Sequence, residues 1–117
     1  MSLANEYLKI ATELVSSEIH DKKSISAHND RVDALIKIAI DIDKNAPHLK
    51  NEFCKLLYHD NPKICTWVAH HVLEVMSCEK SHRKRALRII KKNAEQEYGE
   101  KLWLKDWYKS HPFDRFI

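Results

Sequence analysis

Glycine is almost missing from this chain of 117 residues, since Gly99 is the only one, and there are only three prolines. A β-rich fold would need more glycine-bearing turns between its strands. The apolar residues never form the run of roughly 20 that a membrane-spanning helix requires. The length allows one domain with one modest core. The sequence therefore predicts a single all-α domain over residues 1–117.

The cysteines are few and follow no framework. Cys54, Cys65 and Cys78 are odd in number and widely spaced, and no C-x-x-C pair occurs. Such usage is typical of reduced, intracellular thiols that behave as small hydrophobic residues. The amphipathic N-terminus carries Glu6 and Glu13 and does not fit a secretory signal peptide. We therefore expect reduced, mainly structural cysteines and a cytoplasmic location.

Catalytic signatures are also missing. The sequence contains no G-x-S-x-G, no P-loop and no H-E-x-x-H. Asp41 and Asp43 suggest a carboxylate pair, but on a helix they point to different sides. His70 and Glu74 share a face at a spacing suited to a divalent cation, yet a zinc site needs three or four ligands. The sequence predicts no catalytic residue, no metal site and no cofactor, and the protein is not expected to be an enzyme.

Apolar residues recur at helical spacing in six segments. The first covers about residues 3–19 and the second about 26–44, and the third begins near Pro47. Asn61 as N-cap and Pro62 in the first turn start the fourth. The fifth covers about 81–96, with Gly99 as its stop, and the sixth about 100–110. These helices predict three αα-hairpins, which must stack because each is too thin to bury its apolar side alone.

The segment "CKLLYHDNPKICTWVAHHVLEV", residues 54–75, resembles the middle of a HEAT repeat. A leucine-rich helix there ends in an Asp-bearing turn, and a second helix follows. Cys65 stands where the usual arginine would be, so the arginine–aspartate ladder of many HEAT arrays is not expected. The positions that match are Leu56, Leu57, Asp60, Pro62, Ile64, Ala69 and Leu73.

Over about residues 6–111 the chain is similar to a family of short, single-domain bacterial HEAT-like proteins. The features that carry this resemblance are the length, the block "SAHNDRVDALIKIA", the turn "LLYHDNP", the helix "AHHVLEV" and the closing tryptophan helix. Some of its members are immunity proteins encoded beside toxins. The resemblance implies a HEAT-like α-α superhelix that binds another protein, and a cognate toxin as a candidate partner.

The fourth helix carries the candidate contact surface for a protein partner. On a helical wheel, Trp67, His70 and Glu74 lie with Lys63 opposite the buried valines, and His71 lies at the boundary. A large aromatic residue on a polar face is typical of binding hot spots. The alternative is that Trp67 packs against a neighbouring helix. These five residues form the predicted partner-binding set.

The fifth helix is the strongest electrostatic feature, because Lys80–Lys92 contains seven basic residues and no acidic one. Such a face is either solvated, or binds an acidic protein, or neutralises phosphates. It lacks interleaved exposed aromatic residues, which weakens nucleic-acid binding as the alternative function. The predicted anion-binding patch consists of Arg83, Lys84, Arg85, Arg88, Lys91 and Lys92.

The last predicted helix places Trp103 and Trp107 four residues apart, on one side. No further hairpin follows to cover them. The two tryptophans therefore either close the core as a cap or form an exposed sticky end, and a cap is the more frequent outcome in repeat arrays.

Overall fold

The computed structural model describes residues 2–117, and every regular element in this range is helical. The all-α prediction is therefore confirmed. None of the helices within residues 2–117 has the length and apolar character that crossing a bilayer requires. The six α-helices are α1 (Leu3–Ser16), α2 (Lys22–Asn45), α3 (Lys50–Cys54), α4 (Pro62–Glu74), α5 (Lys80–Ala94) and α6 (Tyr98–Ser110). Short 3-10 helices cover Pro47–Leu49, Lys55–Tyr58 and Pro112–Phe116.

Two helix starts show how local side chains set the boundaries. The predicted start of α4 is confirmed, since Oδ1 of Asn61 accepts a hydrogen bond from the backbone N–H of Lys63 at 2.9 Å and Pro62 follows. By contrast, α2 begins earlier than predicted. Asp21 and Ser24 bond to each other's backbone N–H groups at 2.8 and 3.0 Å, forming a capping box. The segment "HDKKS" therefore starts a helix and does not merely separate two.

Gly99 does not stop the fifth helix, so that prediction is wrong. α5 already ends at Ala94, and Gly99 lies within the first turn of α6. No glycine in the described chain has a positive φ, so the left-handed conformation that favours glycine after a helix is not used here.

The core is organised around α4, which contacts α1, α2, α5 and the 3-10 helix Lys55–Tyr58. α1 packs against α2, and α5 packs against both α4 and α6. Ile64, Val68 and Val72 on α4 are buried, as are Phe53 and Leu57 in the preceding segment. Because α4 has neighbours on several sides, few of its side chains remain at the surface.

Candidate functional site

His71 is buried, with 4% of its surface exposed, so its predicted position at the boundary of a polar face is wrong. A hydrogen bond of 2.6 Å joins the hydroxyl of Tyr7 on α1 to Nδ1 of His71, and the rings of Tyr7 and Phe53 pack in a T-shaped arrangement. Burial lowers the pKa of His71 to about 4, which keeps the imidazole neutral. His71 is therefore a hydrogen-bonded core residue and drops out of the proposed contact set.

His70 links α4 to α6. Its Nε2 lies 3.0 and 2.9 Å from the two carboxylate oxygens of Glu100, and its Nδ1 lies 3.5 Å from Glu74. Burial on its own would lower the pKa of His70, but hydrogen bonds and charges from Glu74 and Glu100 more than offset it, so the pKa is raised. The protonated ring can donate to both carboxylates at once, which makes it a structural clasp.

The closing tryptophans extend this clasp. Nε1 of Trp103 donates to Glu74 at 3.0 Å, and the Trp103 ring stacks on Trp107 with centroids 4.9 Å apart. Trp107 in turn stacks on His111 and donates through Nε1 to Asp114 at 2.8 Å. Both indoles are half-buried and pack against the core. Of the two alternatives for these tryptophans, the structure favours the cap.

Trp67 is half-buried and also packs against the core, with its ring centroid 6.0 Å from that of His71. One side of the indole lines an open pocket of ≈ 540 Å³ between the end of α1 and the start of α6. Only Lys63 and Glu74 of the five predicted contact residues are exposed. Most of this α4 surface is thus committed to internal contacts, because α1 and α6 cover the side that the wheel shows as polar.

His70 and Glu74, the two residues at a spacing suited to a divalent cation, belong to no metal-binding cluster of the described residues. Within residues 2–117, no three histidine, cysteine, aspartate or glutamate side chains are grouped so that they could hold a metal ion. His70 instead hydrogen-bonds to Glu100 and approaches Glu74.

The basic residues of α5 do not form one stripe, because they face two different neighbours. Lys91 Nζ donates to the backbone carbonyls of Asp114 and Ile117 at 2.8 and 2.7 Å. Arg83 and Lys84 line a pocket of ≈ 370 Å³ that the same C-terminal residues border. Half of the predicted patch therefore faces the C-terminal segment.

The other half forms an open pocket with the turn before α4. The guanidinium of Arg85 lies over the ring of Tyr58, 4.5 Å from its centroid. Tyr58 is 66% exposed, and Arg88 and Lys92 are exposed on the same side of α5. We call the recess lined by Tyr58, Asp60, Arg85, Arg88 and Lys92 the basic pocket, with a volume of ≈ 430 Å³.

The cations of the basic pocket form no ion pair with the described residues. Among residues 2–117, no carboxylate lies within ion-pair distance of Arg85, Arg88 or Lys92. The Nε of Arg85 is buried and makes no hydrogen bond within the described residues. Most buried donors find a partner, so an unpaired one needs an explanation.

Sequence reasoning missed Tyr58 as a functional candidate. It stands 27 residues before Arg85 in the chain, so no local pattern joins the two. The available signal was its position directly before the turn "HDNP", where a large aromatic residue has no helix to cover it.

Comparison with protein-family models, with curated proteins and with solved structures gave no significant match. The resemblance to HEAT-like immunity proteins therefore stays a prediction, and a fold alone does not imply a function.

Proposed function

We propose that this protein is a non-enzymatic binding module that recognises an acidic segment of a partner protein through the basic pocket. The observation that carries the proposal is the placement of Arg85 over the exposed ring of Tyr58, with no carboxylate of residues 2–117 within ion-pair distance. An arginine held this way keeps its charge available for a ligand.

The chemistry of the pocket suits carboxylates. A guanidinium binds a carboxylate through two parallel N–H···O bonds, which fix direction as well as affinity. Arg88 and Lys92 lie about one and two turns further along α5, on the side of Arg85. Two neighbouring acidic side chains of an extended segment can therefore meet two of these three cations, while Tyr58 supports an apolar side chain between them.

The dimensions of the pocket favour such a segment over a nucleic acid. From Arg85 to Lys92 the helix rises by only about 10 Å, the length of a few nucleotides. The remaining bases of α5 turn towards the C-terminal segment, so no continuous phosphate track forms.

The partner and compartment follow as further parts of the proposal. The resemblance to HEAT-like immunity proteins names a cognate bacterial toxin as the candidate partner. Binding its acidic segment would sequester the toxin and occlude the bound surface. The cytoplasm is the proposed place for this encounter, because the three cysteines are free thiols.

Fluorescence anisotropy with a labelled peptide rich in glutamate and aspartate tests the proposal at about 0.15 M salt, the physiological screening range. The double variant Arg85→Glu/Arg88→Glu should bind at least about tenfold more weakly, since truncating a charged contact typically costs about 2 kcal/mol or more. Lys9→Glu/Lys37→Glu is the matched control, because both lysines are exposed on α1 and α2 and the total charge change is equal. The control should bind like the wild type.

Equal weakening by both double variants would contradict the proposal, since the attraction would then be non-specific. Tight binding of labelled RNA or DNA that discriminates between sequences, and that the pocket variant abolishes, would replace it with the nucleic-acid alternative. Failure of the acidic peptide to bind would leave α5 as a solvated helix face.

A further inference from the structure

Two of the three thiols face each other. Cys54 ends α3 and is fully buried, whereas Cys78 lies half-buried in the loop between α4 and α5. Their Sγ atoms are 4.0 Å apart. The third thiol, Cys65, is engaged elsewhere and donates to the backbone carbonyl of His59. The expectation of reduced, mainly structural cysteines did not include a pair of thiols that the fold brings together.

Contacts of the neighbouring residue Ser77 hold Cys78 close to Cys54. Lys50 Nζ donates to the carbonyl of Ser77 at 2.7 Å and lies 2.8 Å from Oδ1 of Asp43. The same Asp43 oxygen accepts from the backbone N–H of Ser77 at 2.8 Å. These contacts hold the residue before Cys78 against α2 and α3. A disulfide needs sulfur atoms about 2.0 Å apart, so closing the pair takes an approach of the two sulfur atoms by about half of their present separation.

The two thiols differ in access. Cys78 lines two open recesses of ≈ 370 and ≈ 300 Å³, whereas Cys54 lies behind it in the core. Lys50 and Glu79 line one recess, and Lys80, Arg83, Lys84 and Asp114 line the other. Basic side chains outnumber acidic ones in this lining, so a small anionic reagent can approach Cys78.

The two thiols also differ in reactivity. The hydrogen bond from the Cys54 thiol lowers the pKa of Cys78. The charges of Lys50 and Arg83 act in the same direction, against burial and the charge of Asp43. The same hydrogen bond, with burial, raises the pKa of Cys54. The thiolate is the reactive form, so Cys78 is the attacking residue of the pair.

We infer that Cys54 and Cys78 are a reversible dithiol–disulfide couple that is oxidised by an anionic low-molecular-weight disulfide. The Cys78 thiolate attacks one sulfur of the reagent, forming a mixed disulfide and releasing one reagent thiolate. Cys54 then attacks Sγ of Cys78, and its proton passes to the second reagent sulfur as that sulfur leaves. Two electrons thus move from the two protein thiols to the reagent, which becomes two thiols.

The first step prepares the second. Once Cys78 is part of a mixed disulfide it carries no negative charge, so the interaction that holds the proton on Cys54 is lost. Cys54 is then easier to deprotonate, with Lys50 nearby to favour its thiolate. The product ties α3 to the α4–α5 loop. This inference does not depend on the proposed partner.

Oxidised glutathione is a suitable anionic probe. The reduced protein is incubated with it, quenched with acid, alkylated and examined by intact mass and peptide mapping. We expect the wild type to lose two thiols, to retain no glutathione and to yield a Cys54–Cys78 peptide. Cys54→Ser should retain one glutathione on Cys78, because the second step is then blocked. Cys65→Ser is the control and should behave like the wild type, and dithiothreitol should restore all thiols.

Recovery of three alkylated thiols from the treated wild type would overturn the inference, as would a bridge that includes Cys65. A measurement on the wild type alone covers the case in which Cys54→Ser does not fold. Limited alkylation of the native protein should modify Cys78 before the other two cysteines, and earlier modification of Cys54 or Cys65 would contradict the assigned order.

Discussion

Two polar regions of the molecule differ in whether their charged side chains are paired. At the α4–α6 contact, His70 is paired with Glu74 and Glu100, and Trp103 donates to Glu74. In the basic pocket, the guanidinium of Arg85 lies over the exposed ring of Tyr58 and forms no ion pair with a carboxylate of the described chain. Paired groups between helices contribute to the fold, whereas unpaired charges beside an exposed ring are available to a ligand.

The largest expected change in the free energy of unfolding comes from His71, next to the α4–α6 contact. Its pKa falls in the folded state from 6.5 to about 4, so below pH 6.5 the unfolded chain takes up the proton first. Stability attributable to His71 should therefore fall as the pH drops from 6.5 towards 4, by about 3 kcal/mol in total. Urea unfolding across this range, with His71→Gln as the reference that cannot titrate, measures the loss. Identical pH profiles for the two proteins would show that His71 is not buried as a neutral ring.

Substitutions at Trp67 on α4 and at Tyr58 in the basic pocket compare a packed aromatic residue with an exposed one. Trp67→Ala should cost about 2 kcal/mol of unfolding free energy, less than the loss for a fully buried tryptophan because the indole is partly exposed. Tyr58→Ala should stay within about 0.5 kcal/mol, since its ring is mostly exposed. Urea midpoints of both variants provide the measurement. An unchanged midpoint for Trp67→Ala would return this residue to the binding surface predicted from the sequence.

The His70 clasp should contribute a smaller and pH-dependent amount. The pKa of His70 is raised in the fold, so its stabilising contribution is present at low pH and lost as the pH rises through the folded value. Glu100→Gln should therefore cost about 1 kcal/mol at pH 6 and less at pH 8. Glu18→Gln, at an exposed carboxylate, is the control. A cost that does not decrease with rising pH would mean that the protonated ring is not what holds Glu100.

The smallest effect on stability is expected in the basic pocket. Arg88 is exposed and has no ion-pair partner among residues 2–117. Arg88→Ala should change the unfolding free energy by no more than about 0.5 kcal/mol. Thermal or urea unfolding measures this change. A loss of stability similar to that of Glu100→Gln would remove the contrast between the two regions.

The sequence supports the fold better than the site. The N-cap Asn61 and the helical spacing of α4 could be predicted from the sequence, because both depend on neighbours a few residues away. His71 was misplaced because a helical wheel does not show that α1 supplies Tyr7 above it. Gly99 was misread because α5 ends without a left-handed residue.

The basic pocket required the tertiary structure for the same reason. Arg85 was recognised as part of a basic helix, but the turn that brings Tyr58 onto it is distant in sequence. The division of the α5 bases also depends on the C-terminal segment, whose carbonyls accept from Lys91. Local patterns predict helices, whereas long-range packing decides which polar residues stay available.

The most direct test of the central claim is a backbone-amide NMR titration of the full chain with the acidic peptide. We predict shifts that concentrate at residues 58–60 and 85–93, around the basic pocket, with residues 63–74 of α4 little affected beyond their contacts with α5. Shifts centred on Lys63, Trp67 and Glu74, with the pocket amides unchanged, would contradict the account and place the binding surface on α4.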